Sequence, residues 1–342
     1  MKLGVCYNVF DCEELLESSI KSVRNQVDHI CVVYQTTSNF GEKSNPYLIK
    51  LLNHLKSKKL IDSLIDYQPK IFTKKEKYNL CAETSHELQN DTDKRHVPDQ
   101  FCNELTKREI GRKDCLKHGM THFLSMDCDE FYKESELTYA KKFIFDNKIE
   151  SSVCRMRIYG KYPTIEYLMD NQNAVPFIHA CREDKPFKLA TEYPMVDYSI
   201  SPPHPIALDP TRKLSNFRIN TYHFFSRDKI EMHHMTFVRK NIEKKLRNTS
   251  NKNDYGQVTD FLKQWNEIKP DTLKVLHPHQ HARKIFTNAV LVNNIFNVDI
   301  ENQCKVCCKI EDIKRCSGCK NRLYCDEECQ TYDWEKEHQN EC

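Results

Sequence analysis

The chain has 342 residues, a formal net charge of +3 and 30% charged residues. The net charge is small and Lys and Arg are spread along the sequence, so a nucleic-acid interface is not indicated. No apolar run approaches the roughly 18–20 residues that cross a bilayer. The first residues also lack the apolar core and cleavage site of a signal peptide. We therefore expect a soluble intracellular (cytoplasmic) protein without a membrane span, long enough for two domains.

The 17 cysteines are distributed unevenly. Nine occur singly between Cys6 and Cys181, and eight lie within residues 304–342. Without a secretion signal, the scattered cysteines are best interpreted as reduced, mostly structural thiols. The terminal group indicates a separate small domain.

The first part of the chain alternates strands with helices. Alternating or continuous apolar residues predict strands at residues 2–9, 30–34 and about 60–67. Amphipathic stripes between them predict helices that begin near Glu13 and at Asn45. This order indicates a parallel sheet with right-handed crossovers, flanked by helices, in an α/β fold.

A long helix and a strand follow a polar segment at residues 73–97, which we interpret as a loop or insertion. The helix begins at Pro98 and is closed by Gly119, and the strand covers residues 121–126. Asp127 therefore lies at the carboxyl end of a strand, which is the edge of an open α/β sheet where ligands bind.

Asp127 and Asp129 form a D-x-D pair. In an extended segment, positions i and i+2 project to the same side, so the two carboxylates can face one point. They repel each other unless a proton or cation lies between them, and Mg²⁺ or Mn²⁺ prefers such oxygen ligands. The alternative is an ordinary surface turn.

These features together resemble glycosyltransferases of the GT-A fold, in the family-2-like group, over about residues 1–245. The features are Tyr7-Asn8 at the end of the first strand, Glu13-Glu14 at a helix start, the strand 30–34, Arg112 on the long helix, and Met126-Asp127-Cys128-Asp129-Glu130. The resemblance implies that Asp127 and Asp129 are the catalytic pair and hold one Mn²⁺ or Mg²⁺ on the diphosphate of a nucleotide-sugar donor. Where family members commonly carry an acid after the second strand, this chain has Gln35, so the donor is open.

The same resemblance suggests further residues of the site. It assigns a third metal ligand to His234, or to its neighbour His233, and phosphate contacts to Arg239 or Lys240. The remaining substrate-binding candidates are Glu130, within the acidic motif, and Arg112, for which a solvated helix face is an equal alternative. The plain alternative for the late basic residues is an amphipathic helix at residues 237–246.

The rest of the first domain is less regular. We predict a helix around residues 137–144, a strand at 153–159, a helix at 254–268 and a closing apolar segment at 289–298. Residues 160–220 have no clear period and are expected to contain acceptor-binding loops. An inverting enzyme would need a carboxylate base there, and the candidates, which the sequence does not rank, are Glu183, Asp184, Glu192 and Asp197. The stereochemical outcome stays open. The predicted domain covers residues 1–300, with a core at 1–245 and a closing segment at 246–300.

The terminal cysteines are spaced as four chelating pairs: Cys304/Cys307, Cys316/Cys319, Cys325/Cys329 and His338/Cys342. Seven thiols and one imidazole are the ligands for two tetrahedral zinc ions. A 39-residue chain buries too little apolar surface to fold alone, and two structural Zn²⁺ ions can supply the missing stability.

This spacing, with Tyr324 before Cys325 and with Trp334, resembles the MYND-type zinc finger over residues 304–342. The resemblance implies cross-braced pairing, with Cys304, Cys307, Cys325 and Cys329 on one zinc and Cys316, Cys319, His338 and Cys342 on the other. Cys308 is surplus, and a Cys304/Cys308 pair is the less favoured alternative. Such fingers bind short peptides, so we expect a protein partner, with Trp334 and Tyr324 as contact residues.

Three functions are compatible with the sequence. The leading prediction is a metal-dependent glycosyltransferase that moves a sugar to an unknown acceptor and carries a protein-interaction finger. A non-enzymatic adaptor with an inactive GT-A-like domain is favoured by Gln35 and disfavoured by the intact aspartate pair. A nucleotidyltransferase would use the same paired acids and metal.

Overall fold

The computed structural model describes residues 1–80, 98–169, 174–188, 196–197, 204–205, 210–212, 222–249, 258–278 and 286–342. The strands there are β1 (Leu3–Val9), β2 (His29–Tyr34), β3 (Ser63–Asp66), β4 (His122–Asp127), β5 (Glu130–Phe131), β6 (Ser151–Tyr159), β7 (Ile165–Met169), β8 (Ala174–Ala180), β9 (Val196–Asp197), β10 (His204–Pro205), β11 (Tyr222–Phe224), β12 (Glu231–His234), β13 (Phe286–Leu291), β14 (Lys314–Arg315) and β15 (Leu323–Tyr324). The α-helices there are α1 (Glu13–Arg24), α2 (Leu48–Ser57), α3 (Lys74–Leu80), α4 (Asp99–Lys117), α5 (Glu134–Asp146), α6 (Ile242–Asn248), α7 (Thr259–Glu267) and α8 (Glu327–Lys336).

One mixed sheet organises the first 300 residues. Its main path runs β13-β7-β6-β8-β4-β1-β2-β3, with β5, β11 and β12 attached to it. The β4-β1-β2-β3 half is parallel, whereas β8 runs antiparallel to β4. The predicted α/β class, with a parallel sheet flanked by helices, is confirmed.

Helices cover both faces of the parallel half because its strands are apolar on both sides. Leu3, Val5 and Tyr7 of β1 belong to the large core that includes residues of α1, α2 and α5. On the other face, Cys6 and Cys31 pack near Ile110 of α4. This is the burial expected for parallel strands between two helix layers.

Helix α4 lies unusually close to β1 because glycine occurs at the contact. A Cβ atom placed on Gly111 would lie 1.7 Å from Cys6 Sγ, and one placed on Gly4 would lie 2.6 Å from Cys115 Sγ. The helix belongs to the crossover between parallel strands β3 and β4, so its first half lies beside the carboxyl edge of the sheet. This position determines which α4 side chains reach the ligand edge.

Several elements differ from the sequence prediction. Helix α3 occupies part of the predicted loop at 73–97, and β7 and β8 lie within the predicted loop region 160–220. Strand β8 was not predicted because it contains Pro176, and proline is found in strands chiefly at edges and bulges. Here its pairing with Val153 adjoins a register shift between β6 and β8.

Residues 304–342 have their own apolar cluster around the terminal cysteines. A short hairpin, β14–β15, precedes α8, whose N-cap Asp326 accepts a hydrogen bond from Cys329 N. Among the described residues, none of the helices is both long and apolar enough to span a membrane.

Candidate functional site

A cavity of about 610 Å³ opens at the carboxyl edge of the parallel strands. Asn8 at the end of β1 pairs in register with Asp127 at the end of β4, and Gln35 follows β2 directly. All three residues line the cavity, together with Asp129 and residues of α4 and α6. The acidic motif therefore lies in the main cleft, as the sequence predicts for a ligand-binding edge.

The first carboxylate of the motif is bound by two arginines. Arg212, on a short 3-10 turn at residues 210–212, lies 2.6 Å from Asp127 Oδ2, and Arg108 of α4 lies 3.2 Å from Asp127 Oδ1. Arg212 also donates to both carboxylate oxygens of Glu130, at 2.9 and 2.6 Å. Glu130 accepts a further hydrogen bond from the backbone N–H of Asp127. Glu130 thus fixes the turn between β4 and β5.

The second carboxylate, Asp129, has a different set of partners. Its Oδ2 accepts a hydrogen bond from Arg239 and lies 3.3 Å from Lys245 Nζ. His234 Nε2 lies 3.6 Å from Asp129 Oδ1, because β12 pairs with β5 and places His234 opposite Glu130. Asp129 is 2% exposed, so these charges meet out of water.

The surrounding cations control the ionisation of the acidic motif. Burial raises the pKa of Asp127, but Arg108 and Arg212 outweigh it and hold that pKa below its ordinary value. Burial likewise opposes ionisation of Asp129, and Lys245, Arg239 and His234 together bring its pKa well below the usual range. Burial raises the pKa of Glu130 despite Arg212. Both aspartates are therefore stable anions at neutral pH.

The predicted Mn²⁺ or Mg²⁺ set does not fit this arrangement. A shared ion needs Asp127, Asp129 and His234 atoms to converge at about 2.0–2.2 Å from one point. Each aspartate instead points at its own cations. Among the described residues, groups of three or more side chains with ligand atoms within 4.8 Å of one another occur in the two finger sets and in His29, Asp114 and His118.

Arg112 does not reach the site. It lies one turn further along α4 than Arg108, away from the carboxyl edge. Its guanidinium binds Glu109 through Nε and Nη2, both at 2.7 Å, and donates to the backbone oxygen of Arg182. The side chain is buried, so the solvated-face alternative is also excluded. Arg112 attaches the segment after β8 to α4.

The late basic residues divide between the site and the surface. Arg239 lines the cavity, whereas Lys240 is exposed and its backbone N–H donates to Glu14. The alternative helix at 237–246 is not found, because α6 begins only at Ile242, after the N-cap Asn241. His233 points away from Asp129 and contacts the Tyr159 hydroxyl at 2.7 Å.

Two of the candidate bases, Glu183 and Asp184, are not brought to the cavity. Glu183 and Asp184 are exposed and follow β8, whose end at Ala180 pairs with His122 at the start of β4. They therefore lie beyond the opposite edge of the sheet from Asp127. Glu192 lies outside the described residues, and of Asp197 only the backbone is described.

The other end of the cavity presents amide groups. Gln35 is 1% exposed and donates to Thr37 O, while its Oε1 has no hydrogen-bond partner in the described part of the chain. Asn8 Nδ2 lies 3.5 Å from Glu104, and Asn8 Oδ1 is likewise buried without a partner among the described residues. Buried acceptors without donors are costly, so such a pair is suited to a ligand with N–H or O–H groups.

The terminal cysteines form two separate tetrads. Cys304, Cys307, Cys325 and Cys329 make one set, and Cys316, Cys319, His338 and Cys342 make the other. Cys307 Sγ lies 3.4 Å from Cys325 Sγ, and Cys325 Sγ lies 3.7 Å from Cys329 Sγ. A tetrahedron with Zn–S bonds of about 2.3 Å has sulfur atoms about 3.8 Å apart. The residues fit two zinc ions in the predicted cross-braced pairing.

A hydrogen-bond chain fixes the one histidine ligand. Tyr324 donates its hydroxyl to Asp333 at 2.5 Å and contacts His338 Nδ1 at 2.8 Å. His338 Nδ1 then carries the proton and Nε2, which lies 3.1 Å from Cys319 Sγ, is free for zinc. Tyr324 is buried and so is not the predicted contact residue, whereas Trp334 is 42% exposed.

The finger is packed against α1 and α2. Asn45 donates to Val306 O at 2.7 Å, and Lys50 binds both Asp326 and Glu328. Gln303 donates to the backbone oxygen of Glu14 at 2.7 Å. Cys308 belongs to neither tetrad, and burial, opposed by Lys240, raises its pKa above the usual range.

Three cations that contact the acidic motif are not among the residues predicted from the sequence. Arg108 was detectable from the crossover direction, since the first half of the helix meets the carboxyl edge. Lys245 stands out only as one of several basic residues near α6. Arg212 lies between segments without periodicity, so no local signal marks it.

Residues 304–342 match the sequence model of the MYND finger. The predicted finger is confirmed. No curated protein matches the chain at a significant level. Among solved structures, S. aureus TarS 1–349 is 14% identical over 47% of this chain and 36% of its own, with a TM-score of 0.29. Its complex with UDP-GlcNAc is 13% identical over 47% and 35%, with a TM-score of 0.28.

A third structure, mannose-1-phosphate geranyltransferase from Thermus thermophilus, is 10% identical over 50% of this chain and 46% of its own, with a TM-score of 0.26. The match with TarS 1–349 thus covers about a third of that protein's length.

Proposed function

We propose that the first domain is a glycosyltransferase that binds a nucleotide-sugar donor in the cavity at the carboxyl edge of the sheet. The observation that carries this proposal is the composition of that cavity. Buried cations, Arg239 foremost, stand at its β4–β12 end, and the buried acceptors of Asn8 and Gln35 stand at its β1–β2 end. A nucleotide sugar has the complementary chemistry, with an anionic diphosphate in the middle and hydrogen-bond donors at its base and ribose.

In the proposed reaction, the bond between the sugar C1 and the phosphate oxygen breaks, and its electron pair leaves with the nucleoside diphosphate. An acceptor hydroxyl forms the new bond to C1, and its proton passes to water. The leaving group gains negative charge, and fixed cations near the diphosphate stabilise that charge as it develops. The chain's contribution is to bind and orient the donor and to hold these cations in place.

The competing proposals make different predictions about products. A nucleotidyltransferase would release pyrophosphate from a nucleoside triphosphate, and an adaptor would bind no nucleotide. Incubation with a panel of sugar nucleotides and triphosphates, with released nucleoside diphosphate and pyrophosphate measured separately, distinguishes them. Nucleoside diphosphate release that depends on Arg239 supports the glycosyltransferase, and pyrophosphate release alone contradicts it.

For the finger, we propose binding of a short peptide from a partner protein. The side of the finger that faces α1 and α2 is already covered by the first domain, so the peptide would bind the surface around Trp334. Exchanging Trp334 for alanine should abolish peptide capture while leaving the zinc content at two ions. Retained capture by that variant would move the binding surface elsewhere.

A further inference from the structure

The acidic motif is neutralised by side chains of the chain itself. Three carboxylates, those of Asp127, Asp129 and Glu130, contact four permanent cations. The cations come from four separate segments of the fold: Arg108 from α4, Arg212 from the 3-10 turn, Arg239 from the segment after β12, and Lys245 from α6. A divalent ion placed here would have to displace these partners and would meet their repulsion.

Two buried side-chain nitrogens at this end of the cavity have no hydrogen-bond partner among the described residues. One is Nη1 of Arg239, a guanidinium donor on a side chain that is 6% exposed and whose Nη2 binds Asp129. The other is His234 Nδ1. Lys245 Nζ makes a long contact of 3.3 Å with Asp129, and its side chain is 24% exposed. A buried guanidinium N–H without an acceptor is costly unless a ligand supplies one.

The guanidinium of Arg239 is kept charged by neighbouring charged groups, not by contact with water. Burial opposes its charged form, but the carboxylates of Asp129, Asp11 and Glu14 help to keep its pKa above the ordinary value. Burial also opposes ionisation of Lys245, and Asp129 outweighs it, so that its pKa is raised too. The aspartates therefore position charged donors, which is a different role from binding a metal.

We propose that Arg239 and Lys245 bind the donor's diphosphate directly and that Asp129 positions them, so that donor binding requires no divalent cation. The proposal rests on the proposed function and goes further, because it assigns to side chains the charge stabilisation that the sequence resemblance assigns to Mn²⁺ or Mg²⁺. Guanidinium and ammonium groups bind phosphate oxygens through short charge-assisted hydrogen bonds. The preorganised cations would also receive the charge of the leaving diphosphate.

The test is isothermal titration of the zinc-loaded full chain in buffer freed of divalent ions, with and without added MnCl₂. The probes are inorganic pyrophosphate, which needs no base recognition, and a panel of nucleoside diphosphates. Equal affinity within about twofold in the two buffers supports the proposal. Binding only with MnCl₂, or about tenfold tighter with it, overturns the direct-binding proposal and leaves the glycosyltransferase proposal intact. Absence of binding in both buffers overturns both.

Variants connect the binding to the named residues. Losing one charge-assisted hydrogen bond lowers affinity about tenfold to a hundredfold, and we expect this for Arg239→Gln and Lys245→Gln. Lys245 is partly exposed, so its variant gives a folded test protein if the Arg239 variant is unstable. Arg247→Gln is the matched control, since Arg247 lies on the same helix, is 55% exposed and pairs with Glu243. Unchanged affinity in both test variants would overturn the proposal.

Discussion

Replacing Asp129 with asparagine tests whether this carboxylate is a structural counterion. Its charge balances Arg239 and Lys245 inside the protein, and removing one partner of a buried ion pair costs about 3–5 kcal/mol. Because Lys245 keeps some contact with water, we expect Asp129→Asn to lose about 3 kcal/mol of unfolding free energy. Asp127→Asn should lose about 1 kcal/mol of unfolding free energy, since Asp127 is 36% exposed and Arg212 keeps its ion pair with Glu130.

The assay is urea unfolding followed by fluorescence in a Trp334→Phe background, in which Trp265, buried in the first domain, is the reporter. Asp228→Asn is the control, because Asp228 is 67% exposed. An empty metal site behaves in the opposite way, since removing one of two repelling carboxylates stabilises the protein. An Asp129→Asn protein as stable as the parent would therefore refute the counterion role.

The pH dependence of the stability difference between the parent and Asp129→Asn is a further check. The folded-state pKa of Asp129 lies below that of the unfolded chain. The stabilisation from its charge is therefore complete above about pH 4 and is lost as the pH falls further towards the folded-state value. The difference in unfolding free energy between the parent and Asp129→Asn should shrink in that acidic range. A difference that stays constant would contradict the assignment.

Three further predictions concern other parts of the chain. Tyr324→Phe should lower the zinc affinity of the histidine-containing tetrad about tenfold to a hundredfold, measured by competition with a chelator and with Tyr332→Phe as control. Equal affinity in the Tyr324 variant and the parent would contradict the role of Tyr324 in orienting His338. Burial, opposed by Lys244, raises the pKa of Glu13 to about 7. The parent protein should therefore lose about 3 kcal/mol of unfolding free energy as the pH rises from about 4.5 through 7, and Glu13→Gln should remove this loss. A difference between parent and variant in urea unfolding that does not change with pH would refute this. Gly111→Ala should destabilise the first domain by about 1–3 kcal/mol, and a neutral effect would show that α4 can move away from Cys6.

The local sequence pattern predicted the parallel half of the sheet well, because apolar strands and amphipathic helices alternate there. Asp127 was placed at the correct edge because its strand and the preceding helix have clear ends. The zinc tetrads were predictable for the same reason, since each chelating pair is local in sequence. Only the cross-bracing needed the family resemblance.

The partners of the aspartates were less predictable. Arg212 and Lys245 lie far from Asp127 and Asp129 in sequence, and their contacts depend on how a 3-10 turn and α6 pack over the cavity. The D-x-D spacing is identical whether a metal ion or a guanidinium neutralises it. The choice of Arg112 over Arg108 failed for a simpler reason. It followed the family resemblance, whereas the crossover direction, which brings the first half of the helix to the carboxyl edge, favours Arg108.

The most direct test of the account is a crystal of the full chain soaked with MnCl₂ and a nucleoside diphosphate, measured at the manganese absorption edge. We expect diphosphate density within hydrogen-bonding distance of Arg239 and Lys245, and no anomalous peak between Asp127 and Asp129. A manganese peak bound by both aspartates, with Arg239 and Arg212 turned away from them, would contradict it.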